Sequence, residues 1–93
     1  MISIEDCIAL SGLTKEEILA IAEHECFGEV QAAALGHYLL RIERGATAIR
    51  DMIVEDIRAA RARGDHDHAC ELLAALRQFL TDHPEARATR LVL

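Results

Sequence analysis

Aromatic residues, proline and β-turn signals are scarce in this sequence. There is no tryptophan, and the aromatic residues are Phe27, Tyr38 and Phe79. Pro84 is the only proline, and neither runs of β-branched residues nor Asn-Gly hairpin dipeptides occur. These absences argue against a β-sandwich or barrel. The sequence as a whole is 52% hydrophobic and rich in Ala, Leu and Ile, a composition that predicts an all-α fold.

Targeting and redox signals are also missing. The first six residues contain neither a basic region nor a long apolar stretch, so we predict no signal peptide. Cys7, Cys26 and Cys70 are odd in number and show no C-x-x-C spacing, which favours reduced thiols. We therefore expect a cytoplasmic protein.

Basic residues are rare in the first part of the chain. Up to Leu40 there is one base, Lys15, against seven acids, and the net charge of the whole chain is −6. Such a surface should repel nucleic acid and anionic membranes. It is typical of a solvated acidic face, and a docking surface for a basic partner is the alternative.

Start and stop signals divide residues 1–93 into helices of a single domain. Capping boxes are predicted at Ser3/Asp6 and Thr14/Glu17, and further caps at Thr47 and Asp65. Helices are predicted to end near Gly12, Gly45, Gly64 and the pair His83-Pro84. Short links between them predict an up-down bundle of four helices plus a short N-terminal helix packed across one end. The tail 84–93 is expected to be extended or packed on a partner.

The segment Val30–Ile42 has apolar side chains at almost every angle of a helical wheel. We therefore expect it to be the central helix, buried on several sides. Gly28, Ala32 and Gly36 recur every four residues and form one ridge of small side chains. This ridge can pack against helices of the same chain or form a homodimer contact.

The last three residues, Leu91, Val92 and Leu93, are all apolar, and such side chains are normally covered from solvent. They are predicted to pack on the bundle or on a second subunit, and the alternative is simple fraying.

Two polar residues fall on predicted apolar faces. His37 lies within the all-apolar segment and Asp56 within the apolar stripe of the following helix. Antiparallel pairing around Gly45 would bring them within about one turn of each other. They are predicted either to form a buried pair or to occupy bundle edges that contact water.

Histidines and cysteines provide weak candidates for a metal site. His66 and Cys70 have the i, i+4 spacing of two ligands on one helix, with His68 nearby, and His24 precedes Glu25 and Cys26. The first turn of a helix is normally solvated, so neither group predicts a cofactor. A Glu-x-x-His pair, the mark of di-iron bundles, is absent.

No catalytic signature is present. The sequence has no nucleophile elbow, no phosphate-binding glycine loop and no His-Glu-x-x-His. Residues 11–22 faintly suggest a helix-turn-helix, but the second helix would place Glu16 and Glu17 against DNA phosphates. We expect a non-enzymatic protein acting through protein contacts as a homodimer. A metal- or small-ligand-binding bundle is the alternative.

Overall fold

Five α-helices form the part of the chain that the structure, a computed structural model, describes: residues 3–87. They are α1 (Ile4–Ser11), α2 (Lys15–Glu25), α3 (Glu29–Leu39), α4 (Gly45–Ala62) and α5 (His66–Asp82), and a 3-10 helix follows at Pro84–Arg87. Residues 3–87 contain no strand, which confirms the all-α bundle.

Reciprocal hydrogen bonds start the first two helices as predicted. The Ser3 hydroxyl accepts from the Asp6 amide at 3.1 Å, and the Asp6 carboxylate accepts from the Ser3 amide. In the second box, Thr14 Oγ1 accepts from the Glu17 amide and Glu17 Oε1 accepts from the Thr14 amide at 2.8 Å. These bonds satisfy amides that have no partner within the helix.

Helix α3 is not buried on several sides. Ile18 and Ile21 of α2 are fully buried, and α2 contacts α3, α4 and α5. Val30–Ile42 was predicted to be the central helix, but the helix ends at Leu39. Val30 and Tyr38 are about half exposed, at 48% and 58%. One face of α3 packs on the core and the other faces solvent.

The corner between α3 and α4 differs from the prediction. Helix α4 begins at Gly45, and the residue before it, Arg44, has a left-handed φ of 63°. Thr47 therefore lies inside the helix and does not cap it. A Cβ built on Gly45 would lie 1.5 Å from the Leu39 carbonyl oxygen, so this close approach requires glycine.

Helices α4 and α5 form the most extensive helix pair. Most of the apolar residues on the facing sides of these two helices are buried, although Leu73 is exposed. A side chain that the sequence did not single out, Arg50, is buried at 3% exposure and donates to the Ala86 carbonyl at 2.8 Å. Arg50 thereby joins α4 to the 3-10 helix. No helix within residues 3–87 is long and apolar enough to cross a bilayer.

Candidate functional site

His37 and Asp56 do not meet. His37 Nε2 accepts a hydrogen bond from Arg41 Nε at 3.0 Å, next to the exposed face of α3. Asp56 is buried on the side of α4 that faces α2 and α5. The predicted register fails because α3 ends at Leu39, so the two helices are not joined as a simple hairpin through Gly45.

The ridge of small residues on α3 packs within the chain. Ala32 and Gly36 are buried, whereas Gly28 is the exposed N-cap. A Cβ on Gly36 would lie 2.2 Å from Leu13 Cδ1, so Leu13 fills the space beside this glycine. Ala32 and Gly36 therefore pack against other parts of the same chain, which is the first of the two alternatives predicted for this ridge. The other predicted interface residues, Leu91, Val92 and Leu93, lie outside the described residues.

The exposed apolar surface lies on the opposite side of α3. Val30, Ala34 and Tyr38 follow each other at intervals of four and are all exposed. Leu10 of α1, 67% exposed, extends this surface. A groove of about 270 Å³ lies between α1 and α3, and its lining is mostly apolar. It is lined by Cys7, Leu10, Ser11, Val30, Ala33, Ala34 and His37.

Polar side chains meet where α2 contacts α4 and α5. His24 Nε2 lies 2.7 Å from Glu55 Oε2, and His24 Nδ1 lies 2.9 Å from Glu25 Oε2. An ionised carboxylate only accepts, so these distances require a hydrogen on both ring nitrogens, as in imidazolium. Glu55 raises the pKa of His24 by accepting its hydrogen bond. From α5, His68 Nε2 contacts Glu23 Oε1.

Asp56 lies beside these two histidine–carboxylate contacts. It is 6% exposed, and its Oδ2 atom is buried without a hydrogen-bond partner. Burial, reinforced by the negative charges of Glu23 and Glu55, raises the pKa of Asp56 to about 6. We call the group formed by these side chains the polar cluster: Glu23, His24, Glu55, Asp56 and His68.

The metal candidates do not converge. His66 and Cys70 are exposed, and His68 and His24 bond to different carboxylates. Within residues 3–87, no three His, Cys, Asp or Glu side chains are placed to hold a metal ion. Helix α2, the second helix of the faint helix-turn-helix signal, buries Ile18, Ala20 and Ile21 in the core, and its exposed face carries Glu16 and Glu23.

Sequence reasoning missed a second buried carboxylate. Glu17 is fully buried, and its Oε2 has no hydrogen-bond partner. Burial raises the pKa of Glu17, while the nearby His83 opposes the rise. His83 Nε2 is likewise buried without a partner. Its burial could have been predicted from its position in the sequence, because Glu17 lies next to Ile18 and four residues before Ile21, and both isoleucines are in the core.

With its fold and these surfaces described, the chain can be set beside known proteins. No protein-family model, curated protein or solved structure matches it.

Proposed function

We propose that this protein is non-enzymatic and acts through protein contacts as a homodimer, using the exposed face of α3 together with α1. The observation that carries the proposal is the row of Val30, Ala34 and Tyr38 beside the apolar groove. Contiguous apolar patches on small soluble proteins commonly mark interaction sites. Ala32 and Ala34 lie about 200° apart around a helix, so this surface is the reverse of the buried ridge.

A second copy of this chain is the occupant that fits this surface. If two α3 helices cross antiparallel at Ala34, residues equally far from position 34 face each other across the twofold axis. Val30 then packs on Tyr38 of the other copy, and the small Ala34 side chains allow close approach at the crossing. Gln31 faces His37 in the same arrangement.

Charge favours the same arrangement. Glu29 lies at the N-terminal end of α3, and Arg41 follows its C-terminal end. In the antiparallel pair, the N-terminal end of each α3, where Glu29 lies, is directed toward the end of the other copy that Arg41 follows, and the helix dipoles also oppose favourably. A parallel pair would place like charges together.

The proposal includes a reducing, cytoplasmic setting. Cys7, Cys26 and Cys70 are all free thiols, and Cys26 and Cys70 are exposed. This supports a compartment in which thiols stay reduced, since disulfides are rare there.

Sedimentation velocity at micromolar concentration tests the assembly. Wild-type protein should sediment at twice the chain mass, and Ala34→Arg should sediment as a folded monomer because the charge would be buried at the crossing. Ala74→Arg is the matched control, since Ala74 is an exposed alanine on α5. It should remain dimeric.

The proposal is overturned if the wild-type protein is monomeric, or if both arginine variants behave alike. Chelator added to the wild-type protein provides a further test. A dimer held by α3 should keep its mass, whereas a metal-mediated assembly would dissociate.

A further inference from the structure

The polar cluster joins three helices through contacts between histidine and carboxylate side chains. Glu23 and His24 come from the last turns of α2, Glu55 and Asp56 from the middle of α4, and His68 from the first turn of α5. The histidine–carboxylate contacts bridge α2 to α4 and α2 to α5. The cluster is therefore placed to hold the C-terminal end of α2 in position.

We propose that the polar cluster is a proton-operated clasp, which holds the end of α2 against α4 and α5 at mildly acidic pH and loosens as the pH rises.

The charge balance of the cluster depends on its protons. When the His24 imidazole is protonated and Asp56 is neutral, one positive charge faces the negative charges of Glu23, Glu25 and Glu55. When these two protons are lost, four carboxylates surround a neutral imidazole. The net charge of these five groups thus changes from −2 to −4. Repulsion between the buried Asp56 carboxylate and the exposed carboxylate of Glu23 then acts between α4 and α2.

Asp56 is the group for which burial makes ionisation most costly. Its Oδ2 has no hydrogen bond to compensate for the loss of water, and Glu23 of α2 and Glu55 of its own helix oppose its negative charge. Positive charge on His24 of α2 and on His68 of α5 favours ionisation of Asp56. Deprotonation of His24 therefore removes a charge that would make an ionised Asp56 tolerable.

The rise in the pKa of Asp56 from 3.8 to about 6 sets the size of the effect. Because each pKa unit is a factor of ten in affinity for the proton, the folded state binds the Asp56 proton on the order of a hundredfold more tightly than the unfolded chain does. The stabilisation that this proton gives the folded state is lost as the pH rises from about 4 to about 7. The stabilisation from protonated His24 is lost as the pH rises above about 6.5, the ordinary pKa of histidine.

Hydrogen exchange of the backbone amides of residues 20–26, corrected for intrinsic rates, tests the clasp at about pH 5.5 and about pH 8. In the wild-type protein, we expect protection of these amides to fall by about fourfold or more at the higher pH, in excess of any fall in α1. Asp56→Asn mimics the neutral acid and should keep more of the protection at pH 8. Asp67→Asn, which changes an exposed aspartate in the first turn of α5, should behave like the wild type.

Equal protection at both pH values would overturn the proposal, as would an equal loss in every helix. Restoration of α2 protection at pH 8 by one equivalent of zinc would also overturn it, because the cluster would then be a metal site. A carboxyl ¹³C titration of the wild-type protein needs no variant. An Asp56 midpoint near 6 supports the clasp, and one near 4 contradicts it.

Discussion

The buried charged side chains of this protein differ in how well they are satisfied. Arg50 donates to the Ala86 carbonyl and to the Asp51 carboxylate, whereas Glu17 and Asp56 each bury an oxygen without a hydrogen-bond partner. For both acids, the pKa is raised in the folded state, so the folded protein keeps a proton that the unfolded chain has already lost. Their ionisation therefore lowers stability as the pH rises. For Asp56 the loss is about 3 kcal/mol between about pH 4 and pH 7.

Removing the Arg50 guanidinium should weaken the attachment of the 3-10 helix. Arg50→Met retains most of the apolar stem but leaves the Ala86 carbonyl without this donor, and we expect a loss of about 1–3 kcal/mol in the free energy of unfolding. Urea denaturation measures it. Arg58→Met is the control because Arg58 is exposed on the same helix, and it should change stability by less than about 0.5 kcal/mol. Equal stabilities of the two variants would contradict the role given to Arg50.

Sequence patterns singled out Asp56 but not Arg50. Asp56 was recognised as a polar residue within an apolar stripe, but its neighbours come from α2 and α5 and depend on how three helices pack. Arg50 has a comparable signal, since it lies three residues before Ile53 and seven before Ile57, but a long basic side chain at the edge of a stripe normally reaches solvent. Only the packed bundle shows that its partner is Ala86, 36 residues away in the chain.

At the scale of the helices, the two capping boxes were predicted correctly, whereas the cap at Thr47 and the orientation of α3 were not. The capping boxes at Ser3 and Thr14 form as predicted because all their partners lie within three residues. The apolar wheel of α3 carries no such information, since it shows no polar face to turn toward solvent. Which face is covered depends on Leu13 and Ile21, which lie on other segments of the chain.

Substitutions on the two faces of α3 should have different consequences. Gly36→Ala places a Cβ where Leu13 Cδ1 now lies, so we expect it to lower the free energy of unfolding by about 1–3 kcal/mol through overpacking. Denaturant midpoints of the monomeric background Ala34→Arg, with and without Gly36→Ala, measure this effect apart from association. Unchanged stability would mean that Leu13 moves aside without cost, and the packing role of Gly36 would be wrong.

At the scale of the whole molecule, the all-α class followed from apolar periodicity and the lack of strand signals. The proposed dimer adds a symmetry that the folded chain alone does not contain. Its central feature is Ala34, which would lie next to its own copy at the twofold axis.

A cysteine at position 34 should therefore cross-link to itself. In a background with Cys7, Cys26 and Cys70 changed to alanine, we expect Ala34→Cys to form a covalent dimer under mild oxidation, because the two Cβ atoms would approach disulfide distance. Non-reducing electrophoresis measures the product. Ala74→Cys in the same background should stay mostly monomeric on the gel, and equal cross-linking of the two variants would point to random collision.

The corner at Gly45 limits how this sequence can vary. Because a Cβ there would meet the Leu39 carbonyl oxygen, and backbone cannot swing aside as a side chain can, all nineteen other amino acids are excluded while the corner is kept. At Gly64 an added Cβ meets nothing within 4 Å, and its left-handed φ of 78° is one that asparagine also adopts. Descendants of this sequence could thus replace Gly64 by asparagine, at the cost of backbone strain and without a steric clash. They could lose Gly45 only by rebuilding the path from α3 to α4.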